Sequence, residues 1–116
     1  MILSGMALAM AMNMTAIAAD PQDVARKAFN NCLVEEHNKA VTEKKSGAEF
    51  NEQLAAACTE TRASYFNLIV KAEKSYGSKL AEAEEYANGE IQSVTDSITS
   101  AFSENVSNGA KLQPEK

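Results

Sequence analysis

The feature that most constrains this chain is a pair of cysteines, Cys32 and Cys58, at the two ends of a helix-forming segment. The segment is broken once, at Ser46-Gly47, almost midway between them. If two helices run antiparallel about that turn, at about 1.5 Å of rise per residue, the cysteines lie nearly level. Both fall on the apolar stripe of their helix, so their side chains face the shared seam. The spacing therefore predicts a Cys32–Cys58 disulfide that pins a helical hairpin.

Other roles for the two cysteines fit the sequence less well. Two free buried thiols are the plain alternative. A redox-active pair would be expected to have C-x-x-C spacing or a basic neighbour, and the chain has neither. A zinc site needs two further ligands, and His37 is the sole histidine. The polar neighbours of His37 predict a surface histidine on a solvated helix face, with a weak metal or pH-sensing role as the alternative.

Residues 1–19, MILSGMALAMAMNMTAIAA, contain no charged side chain and hold all five methionines. An apolar stretch followed by the small-x-small tripeptide at 16–18 is typical of a secretory signal peptide. We predict a signal peptide over residues 1–18, cleaved after Ala18 or Ala19. An uncleaved membrane anchor is disfavoured because a span needs ~20 apolar residues. A buried helix is disfavoured because the stretch has no polar face.

Export would place the rest of the chain in the periplasm of a Gram-negative bacterium or outside the cell, where disulfides persist. The chain is acidic, with a formal net charge of −5. An acidic surface repels phosphate backbones and anionic lipid headgroups. We therefore expect no nucleic-acid binding and no stable membrane insertion of the mature chain.

The part of the chain after residue 18 has the apolar periodicity of helices and none of the alternation of strands. We predict an all-α fold, in which an antiparallel helical hairpin pinned by one disulfide packs with a third long amphipathic helix as a small helical bundle. The helical domain covers residues 19–107. Its helices span about 21–45, 48–76 and 79–105, and residues 108–116 are expected to form a disordered tail.

The helix ends carry recognisable capping residues. Asp20 precedes a proline, which is typical of an N-cap followed by the first helical position. Gly47 is predicted to end the first helix in the left-handed conformation. Ser46 and Glu49 have the S-x-x-E spacing of a capping box for the second helix. Gly77-Ser78 repeats this stop-and-cap pattern before the third.

The third helix carries an apolar stripe with a near-heptad rhythm, and we expect it to continue unbroken through Gly89 despite the cost of glycine in a helix interior. Such a stripe serves either as ordinary core or as the seam of a coiled-coil dimer. A strictly monomeric protein would exclude the seam. The residues of this possible interaction stripe are Leu80, Ala87, Ile91, Val94, Ile98 and Phe102.

No pattern typical of an enzyme occurs in the sequence. Nucleophile elbows, phosphate-binding glycine loops, H-E-x-x-H and EF-hand loops are all missing. The adjacent pairs Glu35-Glu36 and Glu84-Glu85 point about 100° apart on a helix, so neither forms a convergent acid–base pair. We expect no catalytic residue, no metal site and no cofactor.

The sequence thus favours a structural or protein-interaction module, with a protein partner or self-association. A periplasmic stress chaperone and an inhibitor-type binding protein are the alternatives. The stretch 57–70, ACTETRASYFNLIV, resembles the helix after the second cysteine in the acid-stress chaperones of the bacterial periplasm. The cysteine spacing is shorter here and a third long helix follows, so this resemblance assigns no residue a role.

Overall fold

The computed structural model describes residues 20–116, which form four helices: α1 (Pro21–Glu43), α2 (Gly47–Ala56), α3 (Thr59–Ser75) and α4 (Leu80–Asn105). No strand occurs among these residues. The all-α prediction is therefore confirmed, as is the disulfide between Cys32 and Cys58. The predicted signal peptide and its cleavage after Ala18 or Ala19 lie outside the described residues.

The four helices form three rods, because α2 and α3 follow one another along the same side of α1. Both run antiparallel to α1, as the packing of Phe29 against Tyr65 and the level position of the cysteines show. α4 then returns antiparallel to α3, and Phe102 near its end stacks on Phe50 of α2. The result is an up-down-up bundle whose middle rod is broken.

The first rod begins as the sequence predicts and ends two residues earlier. The side chain of Asp20 accepts a hydrogen bond of 3.0 Å from the N–H of Gln22. At the other end Lys44, rather than Gly47, takes the left-handed conformation, with φ 53°. The N–H of Lys45 then reaches the carbonyl of Ala40, which closes a Schellman-type end. Gly47 is thereby left free to be the first residue of α2.

The other helix ends mix confirmed and corrected features. The capping box forms, with bonds of 3.2 Å from the N–H of Glu49 to Ser46 and 3.1 Å from the N–H of Ser46 to Glu49. Gly77 ends α3 at φ 99°. Ser78 does not cap α4, since the N-cap position is Lys79 and it makes no side-chain capping bond. α4 runs unbroken through Gly89, as predicted.

The predicted helix over 48–76 is divided in two at the second cysteine. Ala57 is extended and Cys58 is left-handed, with φ 61°. The sequence around the break contains neither glycine nor proline, so local propensity does not explain it. The break coincides with the disulfide, whose Cα atoms are 5.9 Å apart. We attribute the break to the bridge, which draws the Cys58 backbone toward α1.

The core is built mainly from aliphatic side chains and three phenylalanines. Phe29, Phe50 and Phe102 are among the largest fully buried side chains. The other buried apolar residues are Ala25, Leu33, Val34, Ala40, Val41, Leu54, Tyr65, Ile69, Ala83, Ala87 and Ile98.

Among the helices of residues 20–116, none has the length and apolar composition needed to cross a bilayer.

The last residues differ from the disorder expected of them. After α4 the chain turns at Gly109, with φ 75°, and then lies along α1. Leu112 packs against the core from this segment. We call residues 110–116 the tail. Its composition is polar, but its backbone groups find partners on α1, and those partners hold it in one place.

Candidate functional site

The predicted interaction stripe of α4 is used mostly inside the protein. Ala87, Ile98 and Phe102 are buried, and Ile91 and Val94 are packed against the core. Only Leu80 is exposed. The stripe is therefore core rather than a free face, because α1, α2 and α3 already cover it along most of its length.

His37 lies in the core and not on the solvated face that its neighbours predict. Its side chain is fully buried, and its ring meets Phe50 and Phe102 edge-on, with centroid distances of 6.4 and 6.1 Å. The spacing explains this position. Residues four apart share one face of a helix, so His37 continues the buried row of Phe29 and Leu33.

The two ring nitrogens of His37 are satisfied by asparagines from two elements. Nδ1 lies 2.8 Å from Oδ1 of Asn38, and Nε2 lies 3.3 Å from Nδ2 of Asn105 at the end of α4. Oδ1 of Asn38 is an acceptor, because the N–H of Leu112 donates to it at 2.9 Å. We therefore assign the ring proton to Nδ1, which leaves Nε2 to accept from Asn105.

Asn38 also forms two hydrogen bonds with the backbone of the tail. While its Oδ1 accepts from the N–H of Leu112, its Nδ2 donates to the carbonyl of the same residue at 2.9 Å. One side-chain amide thus satisfies both backbone groups of one residue. Asn31 does the same for Glu115: Nδ2 donates to its carbonyl at 2.9 Å and Oδ1 accepts from its N–H at 2.7 Å.

The two asparagines match the repeat of the segment that they hold. Asn31 and Asn38 are two helical turns apart, a distance of about 10.5 Å along α1 at about 1.5 Å per residue. Three residues of extended chain, from Leu112 to Glu115, cover about 10 Å. The tail therefore runs antiparallel to α1 in a fixed register. We call this arrangement of Asn31 and Asn38 the asparagine clamp.

Charged side chains hold the two ends of the tail. The guanidinium of Arg26 donates two hydrogen bonds, of 2.9 and 2.8 Å, to the carboxylate of Glu115, and Asp23 also contacts this guanidinium. The hydrogen bond from Arg26 lowers the pKa of the Glu115 carboxyl, and the same contact raises the pKa of Arg26. At the other end, Lys111 donates to the carbonyl of Asn38 at 3.1 Å and to the Thr42 hydroxyl.

A groove remains open between α1 and the tail. Its volume is about 360 Å³, and Pro114 forms one wall of it. Both asparagines of the clamp line the groove, as does the half-buried Cys32, which lies between them in the sequence. Its remaining lining residues are Ala28, Val34 and Glu35.

Sequence reasoning did not single out Arg26, Asn31 or Asn38, the three residues of α1 that hold the tail by hydrogen bonds to Leu112 and Glu115. Asn31, Asn38 and Arg26 look like ordinary polar positions on an exposed helix face. The one available signal is the repetition of asparagine at two-turn spacing, beside the buried row of α1. That signal has no meaning until the tail, far away in the sequence, is known to lie there.

Comparisons with protein families, with curated proteins and with solved structures find no match to this chain. Within residues 20–116, no group of three or more His, Cys, Asp or Glu side chains is placed to hold a metal ion. The asparagine clamp, with Arg26 beside it, is the most specific arrangement of polar groups that the described residues present.

Proposed function

We propose that this protein is a protein-interaction module that holds an extended peptide segment against α1. One observation carries the proposal: two side-chain amides on one helix face each pair with both backbone groups of one residue of an extended segment. Nothing in this geometry requires that the segment belong to the same chain. The function is one of binding rather than catalysis.

Side-chain amides are suited to this task by their chemistry. An asparagine side chain carries one acceptor oxygen and two donor hydrogens, so it can bond the N–H and C=O of one peptide residue together. Backbone pairing supplies affinity for any extended chain, and neighbouring pockets supply selectivity, as in the addition of a strand to a sheet edge. The clamp applies this logic on a helix.

The contacts of the tail are of a kind that a competing segment could replace. Glu115 and Lys111 are exposed, and the side chains of the Arg26–Glu115 pair retain 32% and 41% of their accessible surface. Exposed hydrogen bonds and ion pairs contribute ~1 kcal/mol or less each, because water competes for the same groups. The tail is therefore held in register without being held irreversibly.

We propose an exported location for this module. The disulfide supports it, because such bonds persist in oxidising compartments and are rare in the cytosol. An inhibitor-type binding protein is one form that the module could take, with a segment of the target enzyme lying in the groove. A pull-down from the periplasm of the native host would identify such a target.

Peptide binding is the first test. A full-length variant with Leu112→Asp and Glu115→Lys, the tail-release variant, should bind a fluorescent peptide of sequence AKLQPEK, corresponding to residues 110–116. The tail of the unaltered protein competes at an effective concentration on the order of millimolar. We therefore expect the unaltered protein to bind the same peptide about tenfold more weakly than the tail-release variant does, as measured by fluorescence anisotropy.

The control for this test is an exposed asparagine on another helix, Asn67 of α3. Asn31→Ala in the tail-release variant should weaken peptide binding, whereas Asn67→Ala on α3 should leave it unchanged. Alanine favours helix, so neither change should disturb the fold. Circular dichroism and the midpoint of urea unfolding verify this. A tail-release variant that stays folded and binds no peptide would contradict the proposed function.

A periplasmic stress chaperone is the second candidate function, and the Arg26–Glu115 contact favours it. The pKa of Glu115 is lowered when the tail is in place on α1. Its ion pair with Arg26 therefore stabilises the docked tail fully above the ordinary glutamate pKa of about 4.3. That contribution is lost as the pH falls through the lowered value. Acid would therefore loosen the tail and open the groove.

The pH dependence can be measured on the tail itself. We expect the amide protons of Leu112 and Glu115 to lose protection from hydrogen exchange as the pH falls below the ordinary glutamate pKa of about 4.3, because the folded-state pKa of Glu115 lies lower still. Glu115→Gln should remove this dependence, and Glu104→Gln on α4 should leave it in place. For the chaperone role, protection of a client from aggregation should appear in acid, and a lack of protection at both acidic and neutral pH would exclude that role.

A further inference from the structure

We infer that the groove selects extended segments with an apolar residue followed, three residues later, by a carboxylate side chain. This inference rests on the proposed function and deepens it, since it names the class of partner. The asparagine clamp bonds only the backbone groups of the segment, so it does not discriminate between side chains. Selectivity must therefore come from the groups beside it, and the tail shows which side chains those groups accept.

The apolar position corresponds to Leu112. Its backbone is held by Asn38, and its side chain is partly buried against the core. The other described side chains of the tail are exposed. A polar side chain here would lose this apolar contact, so we expect Leu, Ile, Val or Met at the matching position of a partner.

The acidic position corresponds to Glu115. Arg26 donates two hydrogen bonds to its carboxylate, and Asp23 steadies the guanidinium from the other side at 3.2 Å. A planar guanidinium fork matches a carboxylate better than it matches an amide or a hydroxyl. An acidic residue on the partner is therefore favoured although the protein as a whole is acidic, because this part of α1 presents a positive group.

The two positions between them carry no such demand. Gln113 and Pro114 are exposed, and no side chain of α1 bonds their backbone groups. Proline is well suited to the second of these positions. It has no N–H to satisfy, and it restricts the residue before it to extended conformations, which reduces the entropy lost on binding.

The polarity of the site also fixes the direction of the partner. The apolar position lies at Asn38 and the carboxylate position lies toward Arg26, near the start of α1. A segment that runs the other way could still pair its backbone with the clamp. It would, however, place its acidic side chain against the core and its apolar side chain against Arg26.

The test uses the tail-release variant and four peptides based on AKLQPEK. Against the parent peptide, Leu112→Ser in the peptide should weaken binding at least about fivefold, and Glu115→Gln should weaken it about three- to fivefold. The fourth peptide exchanges the leucine and the glutamate, AKEQPLK, and should bind more weakly than either. The readout is the dissociation constant from fluorescence anisotropy.

A second protein variant assigns the carboxylate to Arg26. With Arg26→Gln in the tail-release variant, the parent and Glu115→Gln peptides should bind equally. Equal binding of all four peptides to the tail-release variant itself would overturn the selectivity while leaving the proposed function standing. Binding of none of the peptides would instead remove the proposed function and this inference together.

Discussion

Replacing Cys32 and Cys58 together with serine is expected to lower the free energy of unfolding by about 2.5 kcal/mol. The bridge closes a loop with a sequence separation of 26, and it spans from α1 to the start of α3. Loop-closure entropy for this length corresponds to about 3.5 kcal/mol. A domain of this size has a total stability of ~5–15 kcal/mol, so the loss is a large share of it.

Relief of the break in the middle rod reduces the expected loss. The left-handed conformation of Cys58 costs about 1 kcal/mol or more in a residue other than glycine. Without the bridge, nothing in the local sequence opposes a continuous helix from α2 into α3. We therefore expect the double variant to be less stable and yet to keep or slightly increase its helix content.

Urea unfolding followed by circular dichroism measures both effects. The unaltered protein, fully reduced, should behave like the double serine variant, because the two lack the same bond. Backbone chemical shifts of Ala57 and Thr59 report whether the helices join. A variant that unfolds at the same urea concentration as the oxidised protein would show that the bridge contributes nothing to stability.

Phe102→Ala is expected to have the larger effect, a loss of about 4 kcal/mol in the free energy of unfolding. The ring is 2% exposed and stacks on Phe50 with a centroid distance of 4.2 Å. Truncation of a buried phenylalanine costs about 3–5 kcal/mol through lost transfer energy and the cavity left behind. The stacked pair adds about 0.5–1.5 kcal/mol beyond its buried area.

An exposed aromatic residue provides the matched control. Tyr76 is 85% exposed at the end of α3, so Tyr76→Ala should change the stability by no more than about 0.5 kcal/mol. Thermal and urea unfolding of the three proteins give the comparison. Similar losses in both variants would mean that Phe102 is not part of the core, and α4 would then be held mainly by other contacts.

The features that the sequence predicts well depend on neighbouring residues. The capping box of Ser46 and Glu49 is local, and it forms as expected. The cysteine pairing is longer in range, but it follows from helical rise and a single turn. The position of His37 also has a local signal, its four-residue spacing from the buried Leu33. The surface prediction is wrong because it rests on the charged residues beside His37, and those residues occupy other faces of the same helix.

The features that it predicts poorly depend on contacts between distant segments. The sequence near Cys58 contains no glycine or proline that would predict the break in the helix, because the break is caused by the disulfide to α1. The tail is polar and contains a proline, and such a composition is typical of disorder. What orders it is a set of amide groups on α1 that pair with its backbone, and backbone groups are the same in every sequence.

The match between helix and tail has a consequence for engineering. Because two turns of helix and three residues of extended chain are nearly equal in length, a further asparagine two turns away would meet the next tripeptide with little drift. On α1, position 24 is such a place, now occupied by a valine that is 53% exposed. With asparagine at position 24, α1 would hold three residues of an extended segment at regular intervals, so a single substitution would lengthen the segment that the helix binds.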